Sequence, residues 1–234
     1  MEVGIDNPLD GYVQSEPWKG MPIRIAGLGR IGGSDVASSV TEEAIRIGAE
    51  VDFIIESDQY DEFDQGLIDW RTILGNKHWL VLSSDGPLFG DSMKSAWGSS
   101  LTFAELEGCK SAMIVGVPSE ADRLEEAWGS VIDRIRQVNL LFISNEALEQ
   151  VSKIEEIPPN LLLGEIRDRG AVPIVCTFDP IEGVAEVSHS MGRDVVEVKG
   201  DMGTERWLAG FLCALPASGY GASAVAIAAR SLFE

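Results

Sequence analysis

Short, β-rich apolar runs recur along this chain with amphipathic stretches between them, and that alternation most limits what it can fold into. Ile23–Gly27, Val51–Ile55, Trp79–Ser83, Ala112–Val117, Leu140–Ser144, Val172–Thr177 and Val195–Val198 are the predicted strands. Several are apolar without interruption, as at Met113-Ile114-Val115 and Ile174-Val175-Cys176. A strand apolar on both sides must be covered on both sides, which is the condition of a parallel sheet between two helix layers. Helical spacing appears in Val36, Val40, Ala44 and Ile47, followed by Gly48 as a stop. It returns in Leu124, Trp128, Val131, Ile135 and Val138, and in Trp207, Leu208, Phe211, Leu212 and Leu215, where Pro216 is the expected end. The pattern predicts one α/β domain over residues 1–234, three layers deep, with a mostly parallel central sheet and helices on both faces. In such folds ligands sit at the carboxyl ends of the strands, so the loops leaving those ends are where chemistry is sought.

Composition narrows the function. Hydrophobic residues are 45% and charged residues 24% of the 234, an ordinary globular balance that needs no metal or disulfide staple. Cys109, Cys176 and Cys213 are odd in number and show no Cys-x-x-Cys spacing, so a reducing cytoplasm is expected. Acids outnumber bases 38 to 18, for a net charge of −20. Such a surface repels phosphate backbones and anionic lipid, so neither nucleic acid nor membrane is an expected partner. The opening residues lack the basic and apolar regions of a signal peptide. The uncharged stretch from Trp207 to Ala229 is long enough to span a bilayer. Pro216, Ser218, Gly219, Tyr220 and Gly221 break its centre, which predicts two buried helices joined by a turn. Trp70, Trp79, Trp128 and Trp207 fall on apolar stripes and are expected in the core, whereas Trp18 and Trp97 lie in loop-like sequence.

The first candidate site is the glycine loop after the first strand. Gly27-Leu28-Gly29-Arg30-Ile31-Gly32 has Gly-x-Gly-x-x-Gly spacing, with a helix pattern after it and Glu56 at the end of the next strand. Glycines let a backbone approach a pyrophosphate, a helix N-terminus faces its charge, and an acid reaches a ribose hydroxyl. One reading is therefore a nicotinamide-dependent oxidoreductase using Gly27, Gly29, Gly32 and Glu56. The histidines His78 and His189 stand in no acid–base setting that supports it.

A second reading of the same residues begins the helix at Gly32-Gly33-Ser34 and ends it at Gly48-Ala49-Glu50-Val51. This segment resembles the sugar-binding segment of the ribokinase-like (PfkB-type) carbohydrate and nucleoside kinases, without the Asn usual early in that helix. Asp10, in Gly4-Ile5-Asp6-Asn7-Pro8-Leu9-Asp10, resembles the family's sugar-binding Asp. Ser57 to Leu67 resembles its Gly-Asp-Asp-x-Phe-Gly segment without the glycines. Asn145-Glu146-Ala147-Leu148-Glu149 resembles its Asn-x-x-Glu motif, with the Glu one residue late. Lys199-Gly200-Asp201-Met202-Gly203-Thr204-Glu205 leads into Ala209-Gly210-Phe211 as the family's phosphoryl-transfer motif does, with Glu205 where the family has Asp. Only Thr177 and a displaced Gly183 answer its nucleotide loop, and little room is left between Asp10 and Gly32 for a lid.

The resemblance implies a ribokinase-like fold with the lid reduced or absent, and ATP-dependent transfer of a phosphoryl group to a hydroxyl of a sugar or nucleoside. It implies Glu205 as the base, Gly203 and Thr204 as the anion hole, and Asp10, Gly32 and Gly33 against the substrate. It implies Asn145, Thr177 and Gly183 near ATP, and Glu149 as a water-mediated partner of Mg2+. Two other readings stay open. One is a catalytically inactive protein of this fold that binds a ligand or partner. The other is that Thr204, Glu205 and Asn145 are ordinary helix-start residues. An exposed sheet edge would favour a homodimer.

Overall fold

The structure, a computed structural model, describes residues 22–55, 64–198, 200 and 202–230. In chain order the elements are β1 (Arg24–Gly27), α1 (Val36–Arg46), β2 (Glu50–Phe53), α2 (Trp70–Leu74), β3 (Trp79–Ser83), α3 (Asp91–Glu107), β4 (Lys110–Val115), α4 (Leu124–Asp133), β5 (Leu140–Ile143), α5 (Asn145–Glu155), α6 (Pro159–Gly170), β6 (Ile174–Asp179), β7 (Val184–His189), β8 (Gly192–Glu197), α7 (Thr204–Ser218) and α8 (Ala222–Arg230). One eight-stranded sheet runs β2-β1-β3-β4-β5-β6-β7-β8. Strands β1 to β6 are parallel, and β7 is antiparallel to both β6 and β8. Only β7 therefore points the other way, and the carboxyl ends of the remaining strands share one edge.

The period-two alternation of strands sorts the core cleanly. Trp79, Val81, Ala112, Ile114, Leu140 and Phe142 face a layer made by α1, α7 and α8. Leu80, Leu82, Met113, Val115, Leu141 and Ile143 face the layer of α2 to α6. This is the three-layer arrangement expected from the uninterrupted apolar runs, with helices on both faces.

Two departures from the sequence reading have clear causes. Strand β7 was not among the predicted strands, and β8 begins three residues before the predicted Val195. Both alternate, because α8 and the core cover one face, through Ala185, Val187 and Val196, and leave the other largely polar. Helix α7 does not stop at Pro216 but runs to Ser218. A proline has no N–H for the carbonyl four residues earlier. Here that carbonyl, on Leu212, accepts the indole N–H of Trp79 at 2.8 Å, so the proline leaves no buried acceptor unsatisfied.

Residues 208 to 215 of α7 are all buried, because the helix lies between the sheet, α1 and α8. Its Trp207 ring stacks on Phe178 at 5.1 Å, and its N–H is taken by the Ala229 carbonyl of α8. The uncharged stretch thus forms a helical hairpin, with α7 buried from Trp207 to Leu215 and α8 buried along one face, and among the described residues no helix is long and apolar enough to cross a membrane. Trp97, expected in a loop, is instead buried on α3 and donates to the Ser83 carbonyl at 2.9 Å. Trp18 lies outside the described residues.

Candidate functional site

The crossovers from β1 and β3 part to opposite faces: α1 packs on α7, and α3 packs with α2 in the other layer. Neighbouring strands whose crossovers diverge open a crevice at their carboxyl ends. The loop from β1, residues 28–35, and the turn after β3, residues 84–90, form its walls.

The β1 loop is held by its own side chains. Asp35 caps α1, accepting from Ser38 N at 2.8 Å and Ser38 Oγ at 2.6 Å. Ser38 Oγ in turn accepts the Arg30 N–H at 3.0 Å. A Cβ at Gly29 would overlap that hydroxyl, and one at Gly33 would stand 2.5 Å from it. These two glycines therefore answer to Ser38. Gly32 has φ +70° with open space around it, so it serves the turn, and its N–H is taken by Glu42 Oε1 at 2.6 Å. Of the expected substrate-binding pair, Gly32 thus shapes the loop and Gly33 packs against Ser38 beneath it.

The same bonds speak against a pyrophosphate on this loop. The N–H groups of Arg30, Gly32 and Gly33 are spent on Ser38, Glu42 and the Arg30 carbonyl, and a carboxylate already caps α1. A dinucleotide needs those donors free and the helix N-terminus empty of charge. Gly27 and Gly29 abut Thr41 and Ser38. Glu56, the acid that reading required, lies outside the described residues, as does Asp10.

Across the crevice stands Asp85, in the turn that follows β3. Ser83 Oγ donates to its Oδ1. Burial pushes the Asp85 carboxyl above the usual carboxylate range, and the charge of Asp35 adds to the rise, while the Ser83 hydrogen bond opposes it. Next to it, Ser84 Oγ is 1% exposed and has no hydrogen-bond partner. The signal for Asp85 was present in Ser83-Ser84-Asp85-Gly86-Pro87, polar residues directly after an apolar strand. What could not be read there was that α1 brings Asp35 towards it.

Helix α7 starts at the same edge, because it follows β8. Its N-cap is Gly203, not Thr204, and a glycine brings no capping side chain of its own. The first-turn N–H groups form the positive end of the helix. Glu205 sits in that first turn, with Oε2 3.6 Å from where a Gly203 Cβ would be. Trp207, one turn in, anchors this end over β5 and β6 through Phe142 and Phe178.

At α5 the arrangement differs. Ser144, rather than Asn145, is the N-cap, accepting from Ala147 N at 3.2 Å. Asn145 Nδ2 donates to Asp179 Oδ2 at 3.0 Å. The other Asp179 oxygen accepts Ile181 N at 2.9 Å and Glu182 N at 3.1 Å. Glu149 is exposed one helical turn from Asn145, on the same face, while Leu148 packs towards the core. Thr177 is buried on β6 with Oγ1 unpartnered. Gly183, with φ +63°, closes the β6–β7 turn against the Val198 backbone, its carbonyl accepting Val198 N at 2.8 Å, which is a structural duty. No group of three His, Cys, Asp or Glu side chains suited to a metal occurs among the described residues. Burial pushes the Cys109 and Cys213 thiols up to about 12, and raises Cys176 as well, so none offers a thiolate at neutral pH.

No family model and no curated protein matches the sequence. Solved structures do match the fold. A putative ribokinase II in its apo form from E. coli superposes with a TM-score of 0.67 at 11% identity, over 89% of this chain and 90% of that one. An aminoimidazole riboside kinase from Salmonella enterica gives 0.65 at 13%, over 88% and 90%. A fructokinase with bound ATP from Xylella fastidiosa gives 0.64 at 9%, over 90% and 86%. At such identities the likeness is one of fold, and together with the eight-stranded, mostly parallel sheet between two helix layers it establishes that this chain has the ribokinase-like fold.

Proposed function

We propose that this chain is an ATP-dependent phosphotransferase acting on a hydroxyl of a sugar or nucleoside, with a weakened donor end. The observation that carries the reading is the glycine-capped N-terminus of α7 with Glu205 in its first turn, at the edge where the β1 and β3 loops open a crevice. The proteins that share the fold include a riboside kinase and a fructokinase, which supports the substrate class.

The acceptor lies in the crevice, where Asp35 and Asp85 offer carboxylate oxygens to hydroxyl protons. Ser84 Oγ, buried and unpartnered, adds a donor or an acceptor. Glu205 accepts the proton of the attacking hydroxyl as its oxygen gains a bond to phosphorus. The first-turn N–H groups of α7, beginning at Gly203 and Thr204, hold the charge that builds on the transferred group. The α7 end fits a phosphoryl group, since it presents first-turn N–H donors and its N-cap, Gly203, has no capping side chain. ATP would supply the phosphoryl group when bound, and Mg2+ would neutralise its charge. Asn145 and Glu149, on one face of α5, are the residues to hold them, with Glu149 acting through water.

The donor end departs from that role at one place. Asp179 binds Asn145 and sets a carboxylate beside the first turn of α5. This contact favours the second reading, a non-catalytic protein of the same fold. Thermal unfolding with ATP–Mg separates the two readings. A ligand at a hundred times its Kd adds about 2.7 kcal/mol to the native state. A rise in Tm with ATP–Mg, followed by phosphorylation of a member of a sugar and nucleoside panel, supports the kinase. No rise, with binding of an unphosphorylated sugar alone, supports the non-catalytic protein.

A further inference from the structure

We propose that the neutral ring of His78 is an acid-sensitive latch that ties the amino end of β1 to β3, and that a proton on the ring breaks this tie between the two strands whose carboxyl ends frame the crevice. The inference is independent of the phosphotransfer reading, because it rests on the opposite edge of the sheet.

Strand β1 is four residues long and lies between β2 and β3. Its first residue, Arg24, is joined by two bonds to His78, the residue before β3. The His78 N–H donates to the Arg24 carbonyl at 2.8 Å. The Arg24 N–H donates to Nδ1 of the His78 ring at 3.0 Å. A ring nitrogen accepts only through its lone pair, so the neutral ring carries its hydrogen on Nε2. The side chain thus supplies the acceptor for a backbone N–H at the start of the β1–β3 ladder. The β2 side of the strand keeps its own bonds, among them Glu50 N–H to the Ile23 carbonyl at 2.8 Å, so the latch acts on the β3 side.

The surroundings resist a proton on this ring. The side chain is half-buried, and burial comes first among the causes that hold it below the ordinary histidine value. The charges of Arg24 and Lys110 follow, and both are positive. Arg24 comes from β1, and its Nε is buried without a hydrogen-bond partner. Lys110 comes from β4, with Nζ 5.0 Å from the centre of the Tyr220 ring in the turn between α7 and α8. Lys77, next to His78 in the chain, is bonded to Asp52 of β2. Glu50 of β2 stands opposite Arg24 in register, and the Cys109 thiol before β4 is neutral. Among the described residues no carboxylate is bonded to the His78 ring. The other histidine, His189, also accepts a backbone N–H at Nδ1, from Met191 at 3.2 Å, but Asp194 Oδ2 stands 2.9 Å from its Nε2. His78 has no such carboxylate.

A proton on Nδ1 turns the acceptor into a donor that faces the Arg24 N–H, and it adds a third positive charge beside Arg24 and Lys110. The unfolded chain takes up that proton more readily than the folded one. The tie is therefore intact at and above the unfolded histidine value, and its stability is lost as pH falls from the unfolded value to the lower, folded one.

NMR of the wild-type chain, which has two histidines, tests this from about pH 8 to pH 4.5. The His78 ring is expected to be unprotonated at Nδ1 at the upper end. Its midpoint is expected to fall below that of the same residue in the urea-unfolded chain, and the Arg24 amide to move with the same midpoint. His78→Asn places an amide oxygen close to the Nδ1 position and cannot take up the proton. The many acids titrate in both proteins, so the difference between them isolates the latch. Between about pH 7.5 and pH 5 the variant is expected to lose about 2–4 °C less in Tm than the wild type, the shift that corresponds to one hydrogen bond in a chain of this size. Protection of the amides of residues 24–27 against hydrogen exchange is expected to fall with acid in the wild type and to persist in the variant. A His78 ring that titrates at or above the unfolded midpoint overturns the proposal. So does an Arg24 amide that ignores the titration, or an equal loss of Tm in the two proteins. If His78→Asn does not fold, the titration of the wild type decides alone.

Discussion

Two helix starts on the carboxyl edge, at α7 and α5, handle charge in different ways. At α7 the N-cap is Gly203, which has no capping side chain, and Glu205 sits in the first turn, where the proposed function uses it as a proton acceptor. At α5 Ser144 supplies the cap, and the chain brings Asp179 to Asn145. One helix N-terminus has a glycine as its cap, and the other is furnished with one of the protein's own anions. If the proposed function holds, the comparison teaches that one fold can keep a helix start for receiving a phosphoryl group while a carboxylate discourages its donor. Charge placed by a single loop decides between them, because the helix-end field acts over only about one turn.

Four changes break or sharpen this contrast, from largest effect to smallest. Glu205→Gln keeps size and shape and removes the proton acceptor, so transfer measured by acceptor-dependent ADP release is expected to fall by about 10²- to 10⁴-fold at unchanged Tm. A fall of less than five-fold would remove Glu205 from the chemistry. Gly29→Ala drives a methyl into the Ser38 hydroxyl and is expected to cost about 1–3 kcal/mol in urea unfolding. Paired with Ser38→Ala it is expected to cost less than the sum of the two single changes, because the overlap and the hydroxyl vanish together. Strict additivity would mean that the loop is not packed on Ser38.

Asp179→Asn retains an oxygen for the Ile181 and Glu182 N–H groups, and removes the charge together with the acceptor of the Asn145 amide N–H. Titration calorimetry is expected to show ATP–Mg binding about ten-fold tighter, the factor that corresponds to about 1.4 kcal/mol. Tighter binding to the wild type than to the variant would reverse the proposed contrast.

Asp85→Asn is the smallest. The Asp85 carboxyl has its folded pKa raised by burial, so the folded state holds that proton more tightly than the unfolded chain does. Its contribution to stability is fully present below the unfolded value and is lost as pH rises through the folded value. At neutral pH and above, replacing it is expected to raise Tm by about 2–4 °C for each kcal/mol recovered, with no gain in acid. Equal Tm shifts at pH 4 and pH 8 would contradict that assignment. Loss of acceptor binding is expected alongside the gain, as befits a polar group kept for its function.

Much of the scaffold was legible. The continuous runs at β3 to β6 could only be strands covered on both sides, and the stripe from Val36 to Ala44 became α1 with Asp35 as its cap. The parts that escaped were those whose pattern tertiary packing overrides. Strand β7 reads Val-Ala-Glu-Val-Ser-His, half polar, because its second face is only partly covered. Helix α3 buries Met93, Ala96, Trp97, Ser100, Leu101 and Ala104 on one face, a stripe that its four serines and its alanines made hard to see. Pro216 looked like a stop because the Trp79 indole that satisfies Leu212 is more than a hundred residues away.

The site divided in the same way. That a helix starts beside Gly203, Thr204 and Glu205 could be read from the order of residues before an apolar stripe. The meaning of Gly29 and Gly33 could not, since Ser38 is what they accommodate. Nor could the Asn145–Asp179 contact, which joins two strand ends 34 residues apart. Asp85 became a candidate only when its neighbourhood with Asp35 was visible.

The most direct test of the central claim is mass spectrometry of phosphoryl transfer from ATP–Mg to a panel of sugars and nucleosides, run with the wild type and Glu205→Gln side by side. The account predicts a phosphate ester of at least one panel member with the wild type, raised by Asp179→Asn and abolished by Glu205→Gln. No ester from any member, with the wild type and Asp179→Asn alike, would contradict it and leave the fold to a binding role.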